Sequence, residues 1–292
     1  METAHPTKIE TIAIAIHPTS DEAMKEGLAV CSFIQQTWGT RCITARVNDP
    51  NFIQKVNETK IDLMITLGGD GTMLRASHLC APLNVPLLGI NMGRFGFLMQ
   101  VALKEWKGVL KRVFSGDYAI EERMTLQADV WRGQELLQSS LVINEVVVCR
   151  GQVVRPIRIY AKVDGYSLAS YMADGLIAAT PTGSTAYALA VGGPIMPPEL
   201  RNILIVAVAP HLSMDRAVIL PEGACVEITT DTEHEAVVSL DGRAPIVLQN
   251  GDKVSVRSSN FTVKFLTFKD PGYFYRNLGN YLEQNPSIGG FK

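Results

Sequence analysis

Leu63-Met-Ile-Thr-Leu67 is a compact apolar run that meets Gly68-Gly69-Asp70-Gly71 and then resumes at helical spacing through Met73, Leu74, Ala76 and Leu79. An apolar run closed by a glycine cluster predicts a buried strand, a tight turn and a helix start. Such a junction leaves several backbone N–H groups outside any ladder and pointing at one spot, which suits a phosphate. Asp70 is the odd member. A carboxylate among phosphate-binding amides repels the ligand unless it faces a hydroxyl about to attack phosphorus or reaches a divalent cation. The competing reading makes Asp70 a cap of the helix and the glycines an ordinary turn.

Around this junction strands and helices alternate. Ile9–Ile16, Cys42–Val47 and Val85–Ile90 read as strands. Glu22–Trp38, with Met24, Leu28, Cys31, Ile34 and Trp38 on one face, reads as a helix stopped by Gly39, and Asn51–Glu58 and Leu103–Phe114 read as helices. The alternation predicts an α/β domain, a Rossmann-like parallel sheet with helices on both faces and ligands at the carboxyl ends of its strands. The pattern changes at Ser115-Gly116-Asp117. Beyond it strand signals dominate, among them Leu126–Trp131, Leu136–Ile143, Ile157–Val163, Ile203–Ala209, Cys225–Thr229, Val237–Leu240, Val254–Arg257 and Phe261–Phe268, with turns at Asp241-Gly242 and Asn250-Gly251. The expected organisation is an α/β domain over residues 1–117, a β-rich domain over 118–268, and a tail over 269–292. The tail's Tyr273, Phe274, Tyr275, Leu278, Tyr281 and Leu282 are expected to pack back on the first domain.

A chain of 292 residues, 47% hydrophobic and 19% charged, is long for one core and predicts two folded domains. Its net charge of −2 lacks the basic excess of a nucleic-acid binder. The five cysteines are scattered and never spaced Cys-x-x-Cys, which fits neither a disulfide framework nor a zinc site and points to a reducing compartment. The histidines form no His-x-x-x-His pair, so no metal-ligating residues are assigned. With no signal-type stretch and no run of membrane-spanning length, the expected location is cytoplasmic, away from membranes. A P-loop, the His-Arg-Asp and Asp-Phe-Gly pieces of protein kinases, and Gly-x-Gly-x-x-Gly after the first strand are all missing. A usual dinucleotide dehydrogenase is thereby disfavoured.

Three further stretches carry more polar and glycine residues than packing needs. Asn144-Glu145 opens a strand; the pair either reads the edge of a base or closes a turn. Asp174-Gly175 leads through an apolar strand to Thr180-Pro-Thr-Gly-Ser-Thr-Ala-Tyr187 and Gly192-Gly193-Pro194. There small side chains admit a close-lying ligand, four hydroxyls are expected to add donors, and a helix is expected from Thr185 through Ala190. The alternative is an ordinary hydroxyl-capped helix. In Pro210-His211 the histidine reads as a hydrogen-bonded structural residue rather than an acid or base, and Arg94 either meets a phosphate or solvates a loop.

Taken in order, these segments resemble the NAD kinase family over nearly the whole chain. The resemblance runs through Gly68–Thr72, Gly89-Ile90-Asn91, Gly93, Gly96-Phe97-Leu98, Asn144-Glu145-Val146, Asp174–Leu176, Thr180–Tyr187, Gly192–Pro194, and Pro210-His211 with Ser213. Gly-Gly-Asp-Gly is shared with lipid kinases and phosphofructokinases; the Thr180–Tyr187 octet after Asp-Gly is the specific part. The resemblance implies a fold like that of NAD and diacylglycerol kinases and phosphorylation of the 2′-hydroxyl of the adenosine ribose of NAD to give NADP, with Asp70 as base. It implies nucleotide contacts at Gly71, Arg75, Phe97, Asn144, Glu145, Arg155, Asp174, Thr185, Ala186, Tyr187, Ala190 and Ala209. It also implies a divalent cation such as magnesium, ATP or polyphosphate as donor, and a homodimer or homotetramer. Arg243 stands where many relatives carry Gln, and Met172 where some carry Arg. A lipid kinase and a non-catalytic dinucleotide sensor are the alternatives. The polar 180–187 segment argues against the first and Asp70 against the second.

Overall fold

The structure, a computed structural model, describes residues 8–93, 96–211, 215–268, 270 and 272–284, the last five of these by backbone alone. His5, Arg94 and Ser213, and the side chains of Tyr281 and Leu282, lie outside the described residues. The chain divides into two compact units. One takes in the chain to Glu122 and again from Thr262, and the other comprises Arg123–Phe261.

The first unit is built on β1 (Thr11–Ile16), α1 (Asp21–Trp38), β2 (Arg41–Arg46), α2 (Pro50–Glu58), β3 (Leu63–Gly68), α3 (Asp70–Leu83), β4 (Leu87–Asn91), β5 (Val101–Ala102) and α4 (Trp106–Phe114). The strands lie parallel in the order β2-β1-β3-β4, with β5 parallel to β4. Their side chains alternate between faces, as the two-residue strand period demands. Ile12, Ile14, Leu63, Ile65 and Leu67 share a core with Val30 and Ile34 of α1 and Trp106, Leu110 and Val113 of α4. On the opposite face the Thr66 hydroxyl donates to Met73 Sδ of α3 at 3.1 Å. Helices therefore cover both faces, which is why β1 and β3 are buried throughout. Ser20 caps α1 by accepting the N–H of Ala23, and Gly39 ends it at φ +69°.

From β6 (Ala119–Arg132), cut by the boundary after Glu122, the chain enters β7 (Glu135–Val142), β8 (Glu145–Arg150), β9 (Ile157–Val163), β10 (Tyr166–Ala173) and β11 (Gly175–Ala179). A one-turn helix α5 (Tyr187–Ala190), then β12 (Asn202–Val208), β13 (Val218–Pro221), β14 (Val226–Asp231), β15 (Ala236–Leu240), β16 (Ile246–Leu248), β17 (Lys253–Thr267) and α6 (Tyr273–Gln284) follow. One antiparallel sheet runs β13-β12-β11-β8-β15-β16, and β10-β9-β14-β17 pair antiparallel in the other. Inward residues of both sheets, among them Val146, Val148, Ile159, Tyr171, Leu176, Ile205 and Val256, make one core. The other face of the six-stranded sheet holds Val147, Ile177 and Leu204, and there it packs on Ala188 and Met196. That packing lays the segment after β11 across the sheet. The strands expected at Val254–Arg257 and Phe261–Phe268 are one strand, β17, whose middle is polar because it is largely exposed.

Candidate active site

In the first unit β3 passes through Gly68, Gly69 occupies the cap position, and Asp70 is already the first residue of α3. The helix thus starts two residues before Thr72, where helical spacing resumes in the sequence. Nor does Asp70 cap it. Phe97 N–H donates to Asp70 Oδ2 at 2.8 Å and Leu98 N–H to Oδ1 at 3.1 Å. A Cβ on Gly96 would lie 2.5 Å from the Asp70 carboxyl carbon, so only glycine admits the carboxylate this close. Two amides fix its orientation, and a carboxylate oxygen has lone pairs enough to accept from a hydroxyl as well. Gly71 and Arg75 are exposed on the first turns of α3, and Phe97 is half-buried beside the carboxylate it binds. A groove of about 950 Å³ along α1 and the start of α4, lined by Phe33, Met92, Gln100, Trp106 and Lys107 among others, contains none of these residues.

In the second unit Asn144 immediately precedes β8 and Glu145 begins it, and both are held by Asp241. The Asp241 carboxylate accepts the N–H groups of Ile143 at 2.7 Å, Asn144 at 2.8 Å and Glu145 at 3.0 Å. Glu145 is 8% exposed. Burial first, and the Asp241 charge second, push its carboxyl from 4.5 up to about 8, offset in part by the backbone N–H of Tyr187. Asn144 Oδ1 and Glu145 Oε2 are buried and meet no hydrogen-bonding partner among the described residues. Buried polar atoms ordinarily find partners, so these two orphans on consecutive residues are candidates for contact with a ligand.

Stability inherits this shift. Below pH 4.5 Glu145 is protonated folded and unfolded, and its contribution is fully present. As pH climbs toward 8 the unfolded chain ionises first and that contribution is lost. Glu145→Gln is therefore expected to flatten the fall in melting temperature between about pH 5 and pH 8.5. An unchanged slope would show that Glu145 ionises freely.

Asp174 lies between β10 and β11, and its Oδ1 pairs with Arg150 Nε at 3.1 Å. Burial raises the Tyr187 hydroxyl, and the Cys149 and Asp174 charges raise it further against Arg150. Tyr187 thus feels the charges of Cys149, Arg150 and Asp174 at its hydroxyl while its backbone N–H reaches Glu145. The hydroxyl-rich segment corrects a sequence-based expectation. Thr180 Oγ1 donates to Ile143 O at 2.6 Å, Ser184 Oγ to Pro181 O at 2.6 Å, and Thr185 Oγ1 to Thr182 O at 3.0 Å. These three hydroxyls brace the loop instead of facing outward as donors, while the fourth, Thr182 Oγ1, is buried and meets no hydrogen-bonding partner among the described residues. The expected helix from Thr185 is a 3₁₀ turn at Gly183–Thr185 followed, after Ala186, by the single turn of α5. Tyr187 is 43% exposed and Ala190 is exposed at the far end of that turn.

Ala209 follows β12 in the left-handed region at φ +46°, one residue past the Val208 carbonyl that accepts the Asp174 N–H at 2.9 Å. His211 is exposed, and its backbone N–H donates to Met172 O at 2.7 Å. Arg243 is exposed. Arg155 is exposed in the loop after β8, where its N–H donates to Val153 O, the carbonyl that also accepts from Arg150 Nη1 at 3.4 Å. Sequence reasoning missed Arg150 and the clasp made by Asp241. Asp241-Gly242 does signal a turn, but only the pairing of β15 with β8 reveals what the carboxylate grips.

An α/β unit with a carboxylate at its glycine-rich strand-to-helix junction, joined in one chain to a β-rich unit, is the build of kinases that carry the Gly-Gly-Asp-Gly loop. Residues 10–118 match the ATP-NAD kinase N-terminal domain and residues 143–268 the ATP-NAD kinase C-terminal domain. The chain belongs to the NAD kinase family. An NAD kinase of Chloroflexus aurantiacus is 34% identical over 273 residues, covering 92% of this chain and 97% of that protein. One of Heliobacterium modesticaldum is 39% identical over 216 residues, covering 74% and 76%. Yeast NADH kinase, crystallised with NADH, superposes with a TM-score of 0.85 at 25% identity, covering 97% of this chain and 89% of that one. An NAD kinase from Archaeoglobus fulgidus in complex with ATP gives a TM-score of 0.75 at 23% identity, covering 96% and 100%, a likeness of fold.

Proposed function

We propose that this protein transfers the terminal phosphoryl group of ATP or inorganic polyphosphate to the 2′-hydroxyl of the adenosine ribose of NAD, giving NADP. The observation that carries the reading is Asp70, oriented by the Phe97 and Leu98 amides at the Gly-Gly-Asp-Gly junction of a chain in this family. In the step, the ribose oxygen forms a bond to the terminal phosphorus while the bond from that phosphorus to the donor's bridging oxygen breaks. The hydroxyl proton passes to the Asp70 carboxylate. An alcohol is a far weaker acid than a carboxylic acid, and phosphoryl transfer is loose, so Asp70 orients the hydroxyl and takes its proton late. A sensor protein has no use for such a carboxylate.

Asn144 and Glu145 hold the acceptor, with Asp174, Thr185, Ala186, Tyr187, Ala190, Phe97, Arg155 and Ala209 as further contact positions and Gly71 and Arg75 contacting the nucleotide beside Asp70. Among the described residues no group of three or more His, Cys, Asp or Glu converges as a metal cage. A magnesium ion would arrive on the donor's phosphates, would need only one or two protein carboxylates, and would neutralise developing charge. The working form is a cytoplasmic homodimer or homotetramer. Scattered free cysteines suit a reducing compartment, and among the described residues no helix is long and apolar enough to cross a membrane.

Incubating the purified protein with magnesium, NAD and either ATP or polyphosphate, then measuring NADP, tests the reading directly; no NADP from either donor would sink it. Asn144→Ala is expected to raise the KM for NAD about tenfold with kcat within about twofold, because it removes binding shared by ground and transition states. Steady-state kinetics across NAD concentrations check this, and an unchanged KM would remove Asn144 from the acceptor site.

A further inference from the structure

We propose that Asp241 is the positioning residue of the acceptor site: by gripping three successive backbone N–H groups it sets the Asn144 amide and the Glu145 carboxyl in the orientation that receives NAD. This rests on the reading of Asn144 and Glu145 as acceptor-binding residues.

The grip is reciprocal. Asp241 Oδ2 takes the Ile143 N–H and Oδ1 takes those of Asn144 and Glu145, while the Asp241 N–H donates back to Glu145 O at 3.0 Å. Four hydrogen bonds thus tie one side chain and its own backbone to a three-residue stretch. Asp241 reaches that stretch because it occupies a tight turn with both central residues left-handed, Asp241 at φ +52° and Gly242 at φ +66°, closed by Arg243 N–H on Leu240 O at 3.1 Å. Asp and Gly tolerate those dihedrals better than most residues. The turn extends β15, which pairs β8 through Leu240 and Val146. Register therefore delivers the carboxylate to the start of β8.

A turn needs none of this. An Asp-Gly turn exposed to water works without gripping a neighbouring strand, and Asn serves as well. Gripping three amides costs a solvated carboxylate part of its hydration, and it places negative charge beside buried Glu145. Two of the three residues so gripped carry side-chain oxygens, Asn144 Oδ1 and Glu145 Oε2, that are buried without partners among the described residues, as is Thr182 Oγ1 in the loop after β11. The clasp fixes the backbone that aims those oxygens.

Asp241→Ala and Asp241→Asn separate positioning from mere turn formation. Alanine loses all three side-chain hydrogen bonds. Asparagine keeps the carbonyl oxygen for Asn144 and Glu145 but turns an amide nitrogen toward the Ile143 N–H. The expected result is a KM for NAD raised about threefold in Asp241→Asn and about tenfold or more in Asp241→Ala, with kcat within about twofold in both. A second readout follows the charge. The groups facing Glu145 are Asp241 from the turn after β15 and the Tyr187 backbone from α5, while its β11 neighbours Gly175–Ala179 carry no titratable side chain. Cys149, Arg150 and Asp174 lie beyond, around Tyr187. Removing the Asp241 charge is expected to lower the Glu145 carboxyl and so to move the pH midpoint of NAD affinity downward relative to the parent.

Wild-type NADP formation and NAD binding are measured first, so that failure of the functional reading shows there, independent of the variants. If wild type binds NAD and a folded Asp241→Asn keeps the parent KM and the parent pH midpoint, the positioning role is wrong. A kcat that falls while KM stays unchanged overturns that role as well. Should Asp241→Ala not fold, Asp241→Asn decides alone.

Discussion

Asp70→Asn is expected to cut NADP formation about a thousandfold while NAD still binds. A positioned base contributes roughly 10² to 10⁴ to such reactions, and an amide cannot take a proton from an alcohol at neutral pH. The geometry adds a second loss. Each Asp70 oxygen accepts one backbone N–H, from Phe97 and Leu98, so an amide nitrogen in either place meets a donor with a donor. One clasp bond is lost, and the segment around Gly96 is expected to shift, removing the orientation as well as the base. Turnover with ATP and with polyphosphate, together with NAD affinity by calorimetry, reads both effects. NADP formation within about tenfold of the parent would assign the proton to another group. Loss of NAD binding instead of turnover would make Asp70 a binding residue.

What the sequence discloses and what it withholds divide along a physical line. The β3–α3 junction and the helices of the first unit are legible because hydrophobic periodicity is a local signal: Ile12, Ile14, Leu63 and Leu67 each announce a buried face by their neighbours. The partners of polar groups are not local. Asp70 meets amides 27 and 28 residues away, and Asp241 meets an amide 97 residues away. No spacing rule reaches that far. The hydroxyls of Thr180, Ser184 and Thr185 illustrate the same gap, since composition counts donors but says nothing of who already uses them. β17 reads as two strands because its middle is polar, and polarity reports exposure before it reports a break. β10 gives no clear strand signal because Ser167, Ala169 and Ser170 dilute its alternation, although Tyr171 and Ala173 are buried core.

Gly183→Ala is the other substitution from which a large effect is expected, and its cause is backbone against backbone. A Cβ at position 183 would lie 2.5 Å from the carbonyl carbon of Asn144 and 2.9 Å from its Cα, and closer still to its oxygen. No rotamer relieves such a clash, so either the loop after β11 or the start of β8 has to move. Both are laced together there: Thr180 N–H donates to Asn144 O at 2.9 Å, and Thr180 Oγ1 bridges Ile143 O and the Gly183 N–H at 2.6 and 3.0 Å. Overpacking of this kind costs about 1–3 kcal/mol, which for a unit of this size corresponds to a melting temperature lower by roughly 2–12 °C. The binding cost is separate. Displacing Asn144 moves one of the two orphaned oxygens, and the KM for NAD is expected to rise about tenfold or more. If the Gly183→Ala variant binds NAD like the parent and melts at the same temperature, the close approach is not what requires glycine. A lowered melting point with unchanged KM would place the strain in the loop and leave Asn144 where it is. Only the combination of both losses ties the Thr180–Tyr187 octet to the acceptor site through the backbone, the route by which small residues there matter more than their hydroxyls.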